Sequence, residues 1–132
     1  MKKYLLDTNM CIFYLKGLFN LEQKFLQIGF ENCFLSEITL AELKFGAESS
    51  DNPSKRKPII ESFISKFDIV PITNVLDLYA IEKTRLRKAG IIISEFDLLI
   101  GTTAVVYDMV MVTNNSAHLG RINDIVIEDW KI

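Results

Sequence analysis

Short apolar segments alternate with longer helical segments along this 132-residue chain. The apolar segments have the length and the residue types of buried strands, and turn-forming residues flank them. Strands that are separated by helices pair in parallel through right-handed crossovers. The pattern therefore predicts an α/β fold, a three-layer α/β/α sandwich around a central, mainly parallel sheet of about five strands, at residues 4–6, 33–35, 68–72, 110–113 and 125–127.

The length and composition limit the class of protein. We expect residues 1–132 to form a single domain, because no linker, repeat or low-complexity segment interrupts them. A net charge of −2 gives no overall positive field for nucleic acid, and no apolar run approaches the roughly 20 residues of a membrane span. Met1 leads directly into a strand, which predicts that there is no signal peptide. Cys11 and Cys33 lack CxxC spacing and are predicted to stay reduced, as in a cytoplasm.

Capping residues and prolines set the predicted ends of several elements. Residues that favour helix N-caps precede four of the helical segments: Asn20, Ser36, Asn74 and Ser94. The last belongs to Ser94-x-x-Asp97, the pattern of a capping box before the apolar helix 96–107. Pro58 falls in the opening turns of another helix, and Pro71 favours a sheet edge or the end of the third strand.

Three acidic residues stand out by their positions. Asp7 directly follows the first strand, and Asp97 lies near the start of an apolar helix. Glu42 shares an inward helical stripe with Ile38 and with Phe45 or Gly46. Each has a structural alternative: Asp7 as an N-cap, Glu42 as a buried carboxylate with a partner, and Asp97 as a capping-box residue. The ends of parallel strands meet at one sheet edge, where carboxylates repel one another unless a cation lies between them. Such an oxygen-only site suits Mg²⁺ or Mn²⁺.

Small polar residues accompany these acids. Thr8 and Asn9 directly follow Asp7, and Thr113 and Asn115 follow the fourth strand. In a parallel sheet both pairs fall at the same edge as Asp7. We therefore expect them to orient water or the carboxylates through hydrogen bonds.

Basic charge is concentrated in one helix. Lys83, Arg85, Arg87 and Lys88 fall within six residues. They form either a solvated helix end, where cations interact favourably with the helix dipole, or a patch that contacts phosphate groups. His118 is similarly either a surface residue at a helix end or a substrate-facing group with a role in proton transfer.

Several motifs extend from the N-terminus to the last residues, in the order Leu5-Leu-Asp7-Thr8-Asn9, Ser36-x-Ile38-Thr39-x-Ala41-Glu42-Leu43-x-x-Gly46, Leu86-Arg-Lys-x-Gly90, Asp97-Leu-Leu-Ile100, Val112-Thr113-Asn114-Asn115 and Val126-x-Glu128-x-Trp130. Together they resemble the motifs of PIN-domain ribonucleases of the VapC toxin type, from bacterial toxin–antitoxin pairs. Each motif is weak alone, but their order and spacing are highly specific.

The resemblance implies a cytoplasmic bacterial endoribonuclease with a PIN-like α/β/α sandwich. It implies that Asp7, Glu42 and Asp97 hold one or two Mg²⁺ or Mn²⁺ ions, and that a metal-activated water cleaves a structured RNA such as a transfer RNA. It also implies a VapB-like antitoxin as partner, a homodimer that forms a hetero-oligomer with the antitoxin, and contact with DNA only through the antitoxin.

Two positions depart from the pattern of this family. Asn115 stands where some members have an acid, and His118 stands where many have Asp or Glu. Neither a neutral amide nor an imidazole adds negative charge to a Mg²⁺ site. The alternative function is therefore a catalytically degenerate PIN-like module that binds RNA or a protein partner.

Overall fold

A five-stranded parallel sheet forms the centre of the computed structural model, which describes residues 2–131. Its strands are β1 (Tyr4–Leu6), β2 (Cys33–Ser36), β3 (Asp68–Val70), β4 (Val110–Val112) and β5 (Ile127–Glu128). The order across the sheet is β3-β2-β1-β4-β5, and each neighbouring pair is parallel. The predicted α/β/α sandwich is confirmed, and the first strand lies at its centre.

Helices cover both faces of the sheet. Within the described residues they are α1 (Thr8–Leu15), α2 (Leu21–Ile28), α3 (Glu37–Glu48), α4 (Pro53–Ile64), α5 (Leu76–Lys88), α6 (Glu95–Val106) and α7 (Ser116–Leu119). None of these helices combines the length and the hydropathy of a membrane span.

The alternation of side chains along β1 divides the interior into two cores. Tyr4 and Leu6 face one core, to which α1, α2, α3 and α4 contribute. Leu5 faces the other, which contains Leu86 of α5, Leu98 of α6 and Leu119 of α7. Because β1 is covered on both faces, it is apolar throughout, and its first polar side chain appears where the strand ends.

Two of the predicted helix caps are wrong. Asn20 precedes α2, but it adopts a left-handed backbone (φ 54°) and its side chain makes no capping hydrogen bond. Asn74 lies in a short 3₁₀ turn, and its Oδ1 accepts a hydrogen bond from the hydroxyl of Tyr107 (2.8 Å), so α5 begins only at Leu76. In both cases a tertiary or turn conformation replaces the local capping bond that the sequence favours.

Four strands end differently from the prediction. β2 extends to Ser36 and β4 stops at Val112, each one residue away from its predicted end at 35 or 113. β3 stops at Val70, directly before Pro71, whose missing N–H cannot extend the pairing. The last strand comprises Ile127–Glu128 rather than 125–127. No bounds were predicted for the helix α7 (Ser116–Leu119), which directly follows the polar residues after β4, but His118 lies in its last turn, in agreement with the alternative that placed it at a helix end.

Candidate active site

Asp7 lies where β1 ends beside β4. Its N–H donates to the carbonyl oxygen of Val112 (2.9 Å), so strand pairing continues up to this residue. Its Oδ1 accepts a hydrogen bond from the N–H of Thr8 (2.8 Å), and its Oδ2 accepts one from the hydroxyl of Thr113 (2.7 Å). Asp7 is therefore the N-cap of α1, as the structural alternative proposed. The carboxylate of Asp7 can still bind a ligand while it caps the helix, because each of its oxygens can accept more than one bond.

Glu42 approaches the same region from α3. Ser36 caps this helix, as predicted, since its Oγ accepts from the N–H of Ile38 (3.0 Å). One carboxylate oxygen of Glu42 accepts a hydrogen bond from the hydroxyl of Thr8 (2.6 Å), and that hydroxyl also lies 3.2 Å from the hydroxyl of Thr39. Thr8 therefore connects the two acids, because its N–H donates to Asp7 and its hydroxyl donates to Glu42.

Asp97 comes from the first turn of α6. Its N–H donates to Oγ of Ser94 (3.2 Å), which confirms Ser94 as the N-cap. Asp97 Oδ2 accepts a hydrogen bond from Nδ2 of Asn115 (3.4 Å), and the N–H of Asn115 donates to Oγ1 of Thr113 (3.0 Å). Because Thr113 donates in turn to Asp7, a chain of hydrogen bonds connects Asp97 to Asp7.

The three acids line one open cleft of about 680 Å³. Asp7 is almost fully buried, with 4% of its surface exposed, whereas Glu42 and Asp97 are half-buried. The pKa of Asp7 is raised, and burial is the largest cause. The hydrogen bonds from Thr113 and from the N–H of Thr8 oppose this rise, whereas the negative charges of Asp97 and Glu42 add to it. The cleft thus concentrates negative charge around a carboxylate that is itself removed from water.

The donor set of this cleft fits a divalent cation. Carboxylate oxygens are the ligands that hard cations prefer, and a cation would offset the repulsion that raises the pKa of Asp7. Among residues 2–131, no set of three His, Cys, Asp or Glu side chains is already arranged to hold a metal ion. Coordination by all three acids therefore requires a side-chain rearrangement, such as exchange of the bond between Glu42 and Thr8.

The four predicted orienting residues form two pairs, one at the start of α1 and one after β4. Thr8 and Asn9 line the cleft, Thr8 as a buried hydroxyl and Asn9 with an exposed side chain. Thr113 is fully buried and Asn115 is half-buried, and both reach the acids through the hydrogen bonds described above. The structure therefore brings all four into the surroundings of Asp7 and Asp97.

Two of the predicted basic contacts are engaged in ion pairs. Lys83 pairs with Glu95 at the start of α6. Arg85 pairs with Glu82 (Nε to Oε2, 2.9 Å), a carboxylate that lies almost completely inside the protein. These pairs give both cations a structural role, so they are less available to a ligand than free surface charges.

The remaining basic candidates are exposed. Arg87 and Lys88 lie in the last turn of α5, and His118 lies on α7. None of the three is among the residues that line the acidic cleft. Any contact that they make with RNA or a partner is therefore outside the cleft itself.

Sequence reasoning missed three residues of this region. Thr39 is fully buried beside the hydroxyl of Thr8. Phe45 and Phe96 both line the cleft, and Phe45, which the helical stripe placed on the inward face, is instead 73% exposed. The stripe was misread because this side of α3 faces the cleft rather than the sheet. The sequence does contain a signal for this face of α3. Thr39, Glu42 and Phe45 follow one another at intervals of three residues, and helical residues at this spacing lie on one face.

Comparison with known proteins identifies the family. The model of the PIN domain matches residues 4–124, which is most of the chain. The chain belongs to the PIN-domain family. This PIN-domain protein is 32% identical to the tRNA(fMet)-specific endonuclease VapC of Salmonella typhimurium, over 98% of this chain and 99% of the relative. It is 33% identical to the ribonuclease VapC2 of Haemophilus influenzae, with the same coverage.

The fold agrees with these matches. The crystal structure of DNA-bound VapBC from Salmonella typhimurium contains a chain that superposes on this PIN-domain protein with a TM-score of 0.92 and 33% identity. The match covers 98% of this chain and 99% of that one. The resemblance to VapC that the sequence motifs predicted is therefore confirmed over nearly the whole chain.

Proposed function

We propose that this PIN-domain protein is a divalent-metal-dependent endoribonuclease and the toxin of a toxin–antitoxin pair. The observation that carries the proposal is the convergence of Asp7, Glu42 and Asp97 on one cleft. It occurs in a chain that aligns along its length with proteins named as VapC ribonucleases. Geometry and family thus support the same chemistry independently.

The three acids would hold Mg²⁺ or Mn²⁺ at the floor of the cleft. When bound, such a cation supplies charge that offsets the phosphodiester and lowers the pKa of water. The residues around the acids keep them oriented: Thr113 and the N–H of Thr8 each hold one oxygen of Asp7. This arrangement limits rotation of the carboxylate and so favours one ligand position.

Asn115 has a comparable role toward the third acid. Its side-chain amide donates to Asp97, and its backbone N–H donates to Thr113. A neutral amide can orient a carboxylate but adds no negative charge to the site. We therefore propose Asn115 as an orienting residue rather than a fourth acid, with Asn9 as a polar contact at the cleft rim.

The reaction we propose is hydrolysis of a phosphodiester by water. The water oxygen bonds to phosphorus, the bond from phosphorus to the 3′ oxygen breaks, and that oxygen leaves as a hydroxyl. The products then carry a 5′-phosphate and a 3′-hydroxyl, and the neighbouring 2′-hydroxyl is not the nucleophile. The ends of the products therefore test the mechanism directly.

We propose a transfer RNA as the substrate. A relative that is 32% identical along the chain is named for its specificity toward tRNA(fMet). Sequence-specific proteins read RNA mainly at loops, where bases can be unstacked and splayed outward. An anticodon loop has this property, and an open cleft of about 680 Å³ is accessible to such a loop.

We also propose a VapB-like antitoxin as the partner, acting in a bacterial cytoplasm. A similar solved structure is a VapBC complex bound to DNA, which supports an antitoxin as partner. Our proposal adds a homodimer that forms a hetero-oligomer with the antitoxin and contacts DNA only through it. Arg87, Lys88 and His118 are exposed and are the proposed contacts with RNA or partner. Lys83 and Arg85 are the remaining candidates for such a contact, although ion pairs with Glu95 and Glu82 engage their charges.

The test is cleavage of purified transfer RNA by the purified protein, with Mg²⁺, with Mn²⁺ and with a chelator. We expect metal-dependent cleavage within a loop and fragments with 5′-phosphate and 3′-hydroxyl ends. A protein that binds transfer RNA but cuts it with neither metal would be the non-catalytic PIN-like module instead. Cleavage that a chelator leaves unchanged would remove the metal from the proposal.

A further inference from the structure

Two aromatic rings of this protein face solvent. The chain has nine phenylalanines, four tyrosines and one tryptophan, and all of them lie within the described residues. Of these rings only Phe45 and Phe96 are exposed, at 73% and 47%; the others are buried or half-buried. An exposed aromatic ring forgoes the favourable free energy of burial, so the exclusive exposure of these two calls for an explanation.

Both exposed rings line the acidic cleft. Phe45 lies three residues after Glu42 on α3, so the two side chains share a helix face. Phe96 directly precedes Asp97 in the first turn of α6. Each ring therefore accompanies one acid, and the two rings belong to different helices beside the same cleft.

We propose that Phe45 and Phe96 stack on nucleobases that flank the scissile phosphate of the RNA. This inference rests on the proposed function, because it takes the acids as the position of that phosphate. Every nucleobase presents a π face, and proteins that hold single-stranded nucleic acid use aromatic side chains as stacking platforms for successive bases. Stacking of this kind positions the strand without selecting its sequence.

The distribution of exposed apolar residues favours bases over a protein segment. Large aliphatic side chains are exposed at several places outside the cleft lining, among them Leu26, Ile59 and Ile81. Exposed rings, by contrast, occur only beside the acids within residues 2–131. A protein partner gains burial free energy from aliphatic or aromatic area alike, whereas a base gains specifically from a ring.

The experiment compares loss of the ring with loss of apolar area. Phe45→Leu and Phe96→Leu keep an apolar side chain but remove the ring, while Phe45→Tyr and Phe96→Tyr keep the ring. Leu26→Ala, at a residue that is 67% exposed on α2, is the control for trimming an exposed apolar side chain elsewhere. Thermal unfolding of each variant checks that the fold is retained.

Two measurements are made on each variant. The first is kcat/KM for cleavage of transfer RNA with Mn²⁺. The second is binding of an initiator anticodon stem-loop with 2-aminopurine in its loop, followed by fluorescence quenching in an Asp7→Asn background that prevents cleavage. We expect each Leu variant to weaken binding and kcat/KM by about 5- to 150-fold and to reduce the quenching. The Tyr variants and the control should stay close to the parent.

The outcomes separate this inference from the proposed function. Leu variants that match the Tyr variants in binding, quenching and cleavage would overturn the stacking. Leu variants that lose only the binding of a VapB-like antitoxin would also overturn it, because the rings would then contact a protein. Ring-dependent quenching in the Asp7→Asn background, together with a parent that never cuts RNA, would support the stacking and contradict the endonuclease.

Discussion

Asp7 and Glu82 are both buried carboxylates, yet their surroundings differ in kind. They are 4% and 2% exposed. Glu82 accepts two hydrogen bonds from the guanidinium of Arg85 (2.9 and 3.0 Å) and one from the N–H of Asn123 (2.7 Å). Asp7 accepts hydrogen bonds from neutral donors and lies near the charges of Asp97 and Glu42.

The pKa values of the two groups shift in opposite directions for this reason. The hydrogen bonds from Arg85 lower the pKa of Glu82, burial opposes them, and the N–H of Asn123 adds to the lowering. Burial is the largest influence on Asp7 and raises its pKa. A buried acid that is fully paired is costly to deprive of its partner, whereas one that faces other acids is suited to a ligand that brings positive charge.

Glu82 has a structural task that Asp7 lacks. Arg85, which pairs with it, also donates to the carbonyl oxygen of Arg121 (2.7 Å). Together with the bond from Asn123, this network attaches the segment after α7 to α5. Glu82 therefore holds parts of the tertiary structure together, whereas Asp7 is available for the proposed chemistry.

The largest expected difference is between the rates of RNA cleavage when the charge of Asp7 or of Glu82 is removed. Asp7→Asn should lower kcat for RNA cleavage by more than about 100-fold, because residues that merely orient metal ligands are already worth about 10- to 100-fold. Asn also caps helices well, so the fold should persist. Glu82→Gln should cleave at nearly the parental rate. Equal losses in both variants would erase the distinction between the two sites.

Stabilisation of the fold by Mn²⁺ should depend on Asp7 and not on Glu82. Mn²⁺ at a hundredfold excess over its Kd should stabilise the parent by about 2.7 kcal/mol. Glu82→Gln should keep this increment, and Asp7→Asn should lose it. Thermal unfolding with Mn²⁺ and with a chelator measures both. A parent whose Tm does not respond to Mn²⁺ would favour the non-catalytic module.

Glu82→Gln should in turn lower the stability of the fold, by about 2 kcal/mol near neutral pH, since hydrogen bonds to a charged group are involved. The lowered pKa of Glu82 means that its contribution is complete above the unfolded pKa of about 4.3 and is lost as the pH falls through the folded pKa. Urea unfolding of parent and variant at a series of pH values should therefore converge in acid. A difference that does not change with pH would show that the carboxylate charge is not its source.

The smallest expected effect concerns the cations of α5. Arg87→Ala and Lys88→Ala remove exposed charges, whereas Lys83→Ala and Arg85→Ala would also break ion pairs. The first pair of variants should leave thermal stability unchanged and reduce the salt dependence of RNA binding by about one in slope for each phosphate contact. Filter binding over a range of salt concentrations measures this slope. An unaltered slope would exclude both residues from the RNA contact.

Much of the fold was predictable because its signals are local. The apolar run before Asp7 and the hydroxyl groups of Ser36 and Ser94 act within a few residues, and the structure confirms the strand and both caps. Asn20 and Asn74 failed as caps because a left-handed turn and a bond to a distant tyrosine override local preference. Asp7 and Asp97 were identifiable because one directly follows a strand and the other lies in the first turn of a helix, whereas Glu42, in the middle of α3, was identified by its helical stripe.

The sequence by itself determined the class of fold and the family and indicated three candidate acids, because hydrophobic periodicity, caps and motif order are carried by neighbouring residues. The pair of Glu82 with Arg85 is local to α5, but only the tertiary structure decided which distant donors the two buried carboxylates meet, Asn123 for Glu82 and Thr113 for Asp7. It also decided that Phe45 and Phe96 face the cleft. The physical reason is that pairing, burial and repulsion arise from side chains that come together only when the strands and helices pack.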